Sequence, residues 1–268
     1  MRKELILKLL IGVSLVSLVG CKSIESVKSN NTLVEVLEVS GIMEIDYFDV
    51  AQADAALIQV NGKSMLIDAG TNDTKDEFVK MIKDEGIAKI DYVVGTHPHE
   101  DHIGGLDKVI DNFEVGDIII PGVEHTTKTF ESLVKSAAKK EKKIKKAIPG
   151  MEIDLGEGTK VEVFSPGKDE YKDLNNYSPI IKITYGENTF LFTGDAEKEV
   201  EKEVINGGND LKSDVLKVGH HGSTSSTTEE FLELVNPEIA IISVGKENTY
   251  GHPEKEVLDR SKSRDIKI

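Results

Sequence analysis

The stretch THPHEDHIGG, Thr96 to Gly105, places three histidines and two acidic residues within positions 97–102 of a chain that has only seven histidines in all. His97 and His99 are two apart, so in an extended segment both imidazoles project from one face. Asp101 and His102 follow where Gly104 and Gly105 allow a sharp turn into a helix. Imidazoles and carboxylates crowded in this way repel one another or stay idle unless a cation organises them. Nitrogen and oxygen donors together suit Zn²⁺, and Mn²⁺ or Fe fit the same set.

Around this cluster, short β-branched runs alternate with amphipathic stretches from Gly41 onward, with no internal repeat, which is an α/β layout. MEIDYFDV and AALIQVNGKSMLIDAG read as strands, with Asn61-Gly62 as a hairpin turn. TKDEFVKMIKDEG predicts a helix with Thr74 and Glu77 as its capping box and Gly86 as its stop. DYVVGT is the next strand and delivers the histidine cluster at its carboxyl end. DIIIPG and VEVFSP read as further strands with a lysine-rich helix between them. IIKITYGENTFLFTGD repeats the hairpin pattern, turning at Gly186 to Asn188, and leads to Asp195. DVLKVGHHGS ends on His220 and His221, TTEEFLELV reads as a helix opened by Thr227 and Glu230, and EIAIISVG runs into the loop holding His252. Every group of candidate ligands therefore falls just after a strand. His125 alone reads as an exposed loop residue.

Asp195 suits a carboxylate shared by two ions, and capping the helix AEKEVEKEV is its competing role. Asp68 suits orientation of a ligand histidine as well as it suits a turn.

The chain has 268 residues, 38% of them hydrophobic, enough for one sizeable core. Its net charge is −15, and about −17 once residues 1–20, with Arg2, Lys3, Lys8 and Glu4, are set aside. An overall basic footprint for nucleic acid is excluded. The local exception is KSAAKKEKKIKKA, Lys135 to Ala147, which reads as a solvated helix surface. Residues 1–20 join a basic start to an apolar run too short to span a bilayer and read as a secretory signal. The single cysteine, Cys21, follows LVG and resembles the lipidation site of bacterial lipoproteins, which implies a membrane anchor there. Residues 21–40 read as a tether, and residues 41–268 as one catalytic domain. No protein partner is expected.

HPHEDHIGG, followed in order by LFTGD, VGHHGS and YGHP, resembles the H-x-H-x-D-H signature of the metallo-β-lactamase superfamily. More narrowly, YFDVAQADAALIQVNGKSMLIDAG, TGDAE, DVLKVGHHGSTSST and AIISVGKENTYGHP are similar to the nuclease-like domain of ComEC-type competence proteins and their secreted relatives. The resemblance runs from about Ile45 to the C-terminus and implies an αββα sandwich with the metal centre along one edge. It also implies that His97 and His99 hold a first metal, that Asp101, His102 and His252 hold a second, and that Asp195 bridges them. Of the remaining pair, His221 is expected to be a ligand and His220 to face the phosphate. The sequence departs from the superfamily at Asn175 to Ser178, NNYS, where many members carry another ligand histidine. It departs from the narrower group at Ala51 and Ala53, where glycines are usual.

The function expected is that of a lipid-anchored, extracytoplasmic, Zn²⁺- or Mn²⁺-dependent hydrolase, with Asp101 and His220 as catalytic residues. Its substrate would be a phosphodiester, with DNA the leading candidate. The site residues by themselves fit ester or amide hydrolysis equally well. A cell-wall teichoic acid phosphoesterase and a non-catalytic surface-binding protein are the alternatives.

Overall fold

The computed structural model describes residues 7–12 and 41–268. Its described residues form twelve strands and seven α-helices. The first half comprises β1 (Leu7–Gly12), β2 (Ile42–Tyr47), β3 (Ala56–Val60), β4 (Lys63–Ile67), α1 (Lys75–Asp84), β5 (Lys89–Val94), α2 (Glu100–Ile103), α3 (Leu106–Asn112), β6 (Glu114–Ile120), α4 (Lys128–Lys139) and β7 (Ile144–Lys146). The second half comprises β8 (Thr159–Val163), β9 (Ile181–Tyr185), β10 (Asn188–Phe192), α5 (Lys198–Asn206), β11 (Val215–Lys217), α6 (Glu229–Val235), β12 (Ile239–Ile241) and α7 (Lys255–Lys262).

The strands make two sheets, one of seven strands in the order β1 to β7 and one of five in the order β12-β11-β10-β9-β8. In each sheet an antiparallel meander passes into parallel strands: β4, β5, β6 and β7 in the first, β10, β11 and β12 in the second. Period-two alternation explains the layering. Met65 and Ile67 of β4, with Phe190 and Phe192 of β10, point between the sheets into a shared core. Leu66 lies with Phe78, Ile82, Leu106 and Leu133 under the helices of one outer face. Leu191 and Leu216 lie with Val200, Phe231 and Leu232 under those of the other. Helices thus cover both outer faces, giving the αββα sandwich expected from the sequence.

Both hairpins form where the turn residues place them. Asn61 and Gly62 take positive φ, 54° and 72°, as the tight turn between right-twisted strands requires. Helix α1 does stop before Gly86, but its expected capping box is absent. Thr74 is itself helical in φ/ψ, and its hydroxyl accepts from the Thr71 N–H at 3.1 Å instead of capping the helix. Helix α6 is capped by Thr228, one residue later than expected, through Phe231 N–H. The lysine-rich block is divided: α4 ends at Lys139, and Ile144–Lys146 becomes β7, paired in parallel with Ile118–Ile120 of β6. A partner strand on an open sheet edge outweighed local helix propensity there.

Residues 7–12, within the stretch read as a secretory signal, pair antiparallel with β2 at the sheet edge. Cys21 and the tether of residues 21–40 lie outside the described residues. Among the described residues no helix is long and apolar enough to cross a membrane.

Candidate metal centre

The parallel strands β5, β10, β11 and β12 send their carboxyl-terminal loops to one edge of the sandwich, where α/β sheets commonly bind ligands. His97 and His99 follow β5, Asp195 follows β10, His220 and His221 follow β11, and His252 lies in the loop after β12. Asp101 and His102 sit on α2, whose position depends on Gly104 and Gly105. These glycines do not turn the chain sharply, because both have helical φ/ψ. They permit close approach instead: a Cβ on Gly105 would meet the Ala69 carbonyl oxygen at 2.3 Å, and one on Gly104 the Asn72 nitrogen at 2.5 Å. The helix start is thereby pressed against the loop after β4, and Ala69 N–H donates to the His102 carbonyl at 2.8 Å.

Asp195 Oδ2 is the hub. It stands 3.2 Å from His102 Nε2, 3.7 Å from His221 Nε2, and 3.8 Å from both His97 Nε2 and His220 Nε2. Asp101 Oδ2 stands 3.3 Å from His221 Nε2 and 3.9 Å from His102 Nε2. Ligand atoms at the corners of a tetrahedron of metal bonds near 2.0–2.1 Å lie roughly 3.3 Å apart. Asp101, His102 and His221 therefore form one tight group, and Asp195 Oδ2 stands within 3.7 Å of both of its histidines. The group His97, His102 and Asp195 is similarly tight, and His97 Nε2 lies 2.9 Å from His99 Nδ1.

The hydrogen bonds behind these side chains agree with ligation. His102 Nδ1 lies 2.8 Å from Asp68 Oδ2, and His221 Nδ1 lies 2.9 Å from the Ser243 carbonyl oxygen. Both partners are acceptors, so each Nδ1 carries a proton, which leaves Nε2 as the atom that would face a metal. Both Nε2 atoms, and Asp195 Oδ1, are buried without a hydrogen-bond partner, a costly state that a bound cation would relieve. Thr96 donates its hydroxyl proton to Asp68 at 2.8 Å and so can accept from His97 Nδ1 at 3.1 Å.

Burial, then the neighbouring His102, hold His97 well below the ordinary histidine range, favouring the neutral ligand form. Burial also opposes charge on His102, but Asp195 and Asp68 outweigh it and pull its pKa well above that range. Burial likewise opposes ionisation of Asp195, and the adjacent His102 and His221 overcome it. These acids call for positive charge at the centre of the cluster.

His220 and His221 both have left-handed backbones, φ 49° and 53°. Two such residues in succession are sterically costly and concentrate at functional sites. They also break strand alternation, which explains why the two side chains part. The His221 side chain is buried, whereas His220 is 24% exposed and directs Nδ1 to Ser225 Oγ at 3.0 Å.

A family model described as the metallo-beta-lactamase superfamily matches residues 48–246. The chain belongs to that superfamily. ComE operon protein 3 of Bacillus subtilis (strain 168) is 30% identical over 243 residues, taking in 84% of this chain and 31% of that protein. Recombination protein 2 of Haemophilus influenzae is 30% identical over 222 residues, 81% of this chain and 26% of that protein. The chain thus spans less than a third of either relative. Among solved structures, the metallo-beta-lactamase fold protein YhfI of Bacillus subtilis superposes with a TM-score of 0.52 at 15% identity, over 78% of this chain and 85% of that one. Superfamily members are in general metal-dependent hydrolases, and the fold binds one or two metal ions.

Within this metallo-beta-lactamase frame, the NNYS segment takes a supporting position. Ser178 Oγ lies 3.2 Å from His97 Nδ1 and accepts from Asp195 N–H at 3.2 Å, so it braces two cluster residues from behind. Asn175 Nδ2 approaches His220 Nδ1 at 3.5 Å. His252 stands apart from the tight groups, its ring 5.6 Å from that of His220. His125 is in an exposed loop beside Thr127. Asp195 does not cap α5, a position taken by Glu197. Ala51, on the exposed part of the DVAQADA loop, holds φ 64°, a conformation ordinarily left to glycine.

The sequence reading missed Asp54 and Lys217. Lys217 Nζ pairs with Asp54 Oδ2 at 2.8 Å, both side chains being buried, and Asp54 Oδ1 reaches to 3.5 Å from His221 Nδ1. A lysine at the end of an apolar strand was the signal available.

Proposed function

We propose that the protein is a metal-dependent phosphodiesterase held outside the cytoplasm by a lipid anchor at Cys21. The observation that carries this reading is the pair of ligand groups that share His102, one with Asp101 and His221 and the other with His97 and Asp195, with Asp101 and His220 partly open to solvent. Zn²⁺ suits these nitrogen and oxygen donors, and Mn²⁺ is the next fit.

His97, His99 and Asp195 would hold one ion, and Asp101, His102, His221 and Asp195 the other. When bound there, an ion would supply Lewis acidity and a water that ionises near neutral pH. Asp101, 34% exposed at its side chain, accepts a hydrogen bond from the attacking water and aims it at phosphorus. His220, steadied by Ser225, donates from Nε2 to a phosphoryl oxygen as negative charge builds on it. Asp68 favours the His102 tautomer protonated at Nδ1, and Thr96 and Ser178 contact His97 Nδ1 on the side away from Asp195.

The name of the Haemophilus relative, a recombination protein, supports a polynucleotide as the source of the phosphodiester. The lysine block gives little help in gripping a long duplex. Four of its seven lysines are in ion pairs, Lys135 with Glu131, Lys139 with Asp111, Lys145 with Asp117 and Lys146 with Asp169, and Lys140, Lys142 and Lys143 stand outside them. That partial neutralisation favours a second reading, hydrolysis of a cell-wall phosphodiester polymer.

Metal-loaded protein should hydrolyse bis(p-nitrophenyl) phosphate and lose that activity in chelator. It should cut single-stranded DNA with a rate that falls only weakly with salt, because few phosphates meet free lysines. Turnover of the small diester with DNA untouched would move the substrate to the cell wall. Inertness toward every diester would overturn the enzymatic reading.

For the anchor, wild-type protein made in a lipoprotein-processing bacterium should fractionate with membranes, and Cys21→Ala should not. Equal recovery of both forms in the soluble fraction would reject it.

A further inference from the structure

We propose that Tyr250 is a stacking platform for a nucleobase adjoining the scissile phosphate, an inference that rests on the phosphodiesterase reading and narrows its substrate to nucleotides. Among the described residues Tyr250 is the most exposed of the large hydrophobic side chains, at 72%, and the only aromatic in that exposed group. It is linked to the candidate metal centre through the rings of His252 and His220. One ring face lies over His252, with centroids 5.9 Å apart and an interplanar angle of 23°, and His252 in turn lies 5.6 Å from His220.

Fold stability gives no reason for this exposure. An apolar ring left in water contributes little to folding, and the loop is organised by its neighbour. Asn248 donates to the carbonyls of Gly245 and His252 and accepts from the N–H groups of Tyr250 and His252. A second clamp, Gly245 N–H to Gln52 Oε1 at 2.9 Å, fastens the loop to the segment after β2. The ring is therefore presented by a braced loop at little ordering cost, with its free face toward solvent. Every base offers a flat π face to such a ring, which yields affinity with little sequence preference. A phosphate seated between the Asp195 cluster and His220 would bring the base of its own nucleotide toward Tyr250.

The test compares binding of adenosine 5′-monophosphate and ribose 5-phosphate, equal in charge and differing by the base, to metal-loaded full-length protein by calorimetry. Wild type should prefer the nucleotide by roughly 5- to 150-fold, the range for loss of one base–aromatic stack. Tyr250→Ala should abolish the preference without weakening ribose 5-phosphate, and Tyr250→Phe should keep it. Equal affinity of wild type for both probes, or a preference that survives Tyr250→Ala, would overturn the proposal. Equal weakening of both probes in Tyr250→Ala would do the same, assigning the ring to loop structure. A preference that behaves as expected in a protein that cleaves no diester would contradict the phosphodiesterase reading and leave the base platform standing.

Discussion

Asp195→Asn is expected to strip the protein of bound metal and to lower turnover of a small phosphodiester more than about a hundredfold, the upper cost of losing a mere outer hydrogen-bond partner of a metal ligand. The side chain keeps its size, so the change is one of charge and donor character. Its Oδ2 is the atom that four imidazoles approach, those of His97, His102, His220 and His221. An amide there would offer weaker donation and no negative charge, leaving the surrounding nitrogens without their shared counter-ion. A ligand present at a hundredfold excess over its dissociation constant adds about 2.7 kcal/mol to the folded state. Addition of zinc should therefore raise the melting temperature of wild type and leave that of the variant nearly unmoved. Elemental analysis alongside thermal unfolding reads both effects. Full metal content with full turnover in Asp195→Asn would remove Asp195 from the centre.

Lys217→Met should be the most destabilising of the single substitutions considered, by about 3–5 kcal/mol, because it leaves a buried carboxylate without its cation. Lys217 ends β11 in one sheet and Asp54 lies between β2 and β3 of the other, so the ion pair ties the two sheets together directly behind His221. For a domain of this size the loss corresponds to roughly 6–20 °C in melting temperature. Adding Asp54→Asn to Lys217→Met should recover much of the stability, since replacing both members of a buried pair is often close to neutral. The double variant should still bind metal more weakly than wild type, because Asp54 Oδ1 also faces His221 Nδ1. Denaturant unfolding in chelator measures the first effect free of metal, and zinc titration measures the second. A loss below about 1 kcal/mol in Lys217→Met would show the pair to be solvated rather than structural.

Features set by neighbouring residues were legible before the structure. Asn61-Gly62 and Gly186 to Asn188 carry turn chemistry within their hairpins, and alternating strands such as Phe190-Leu191-Phe192 announce two buried faces. The histidine-rich segment marked itself as a candidate ligand cluster because its donors are crowded into six positions. Features set by distant residues were not legible. Thr74 has the sequence of a cap, yet Thr71 claims its hydroxyl. Ile144–Lys146 has helix-forming lysines, yet β6 recruits it as a strand. The orientations of His220 and His221 depend on two successive left-handed residues that alternation does not foresee. Asp54 and Lys217 meet only because the sheets are stacked, and nothing local marks either as the other's partner. The role of Ser178 is of the same kind: it braces His97 and Asp195 across the two halves of the sandwich.

Asp101, His102, His221 and Asp195 are expected to close around a metal ion. Anomalous X-ray scattering at the zinc edge, from crystals of the full-length protein grown with zinc, locates that ion without reliance on activity. A peak is expected about 2.0–2.2 Å from His102 Nε2, His221 Nε2 and one oxygen each of Asp101 and Asp195. Zinc bound only elsewhere on the molecule, with those four side chains unliganded, would exclude the site.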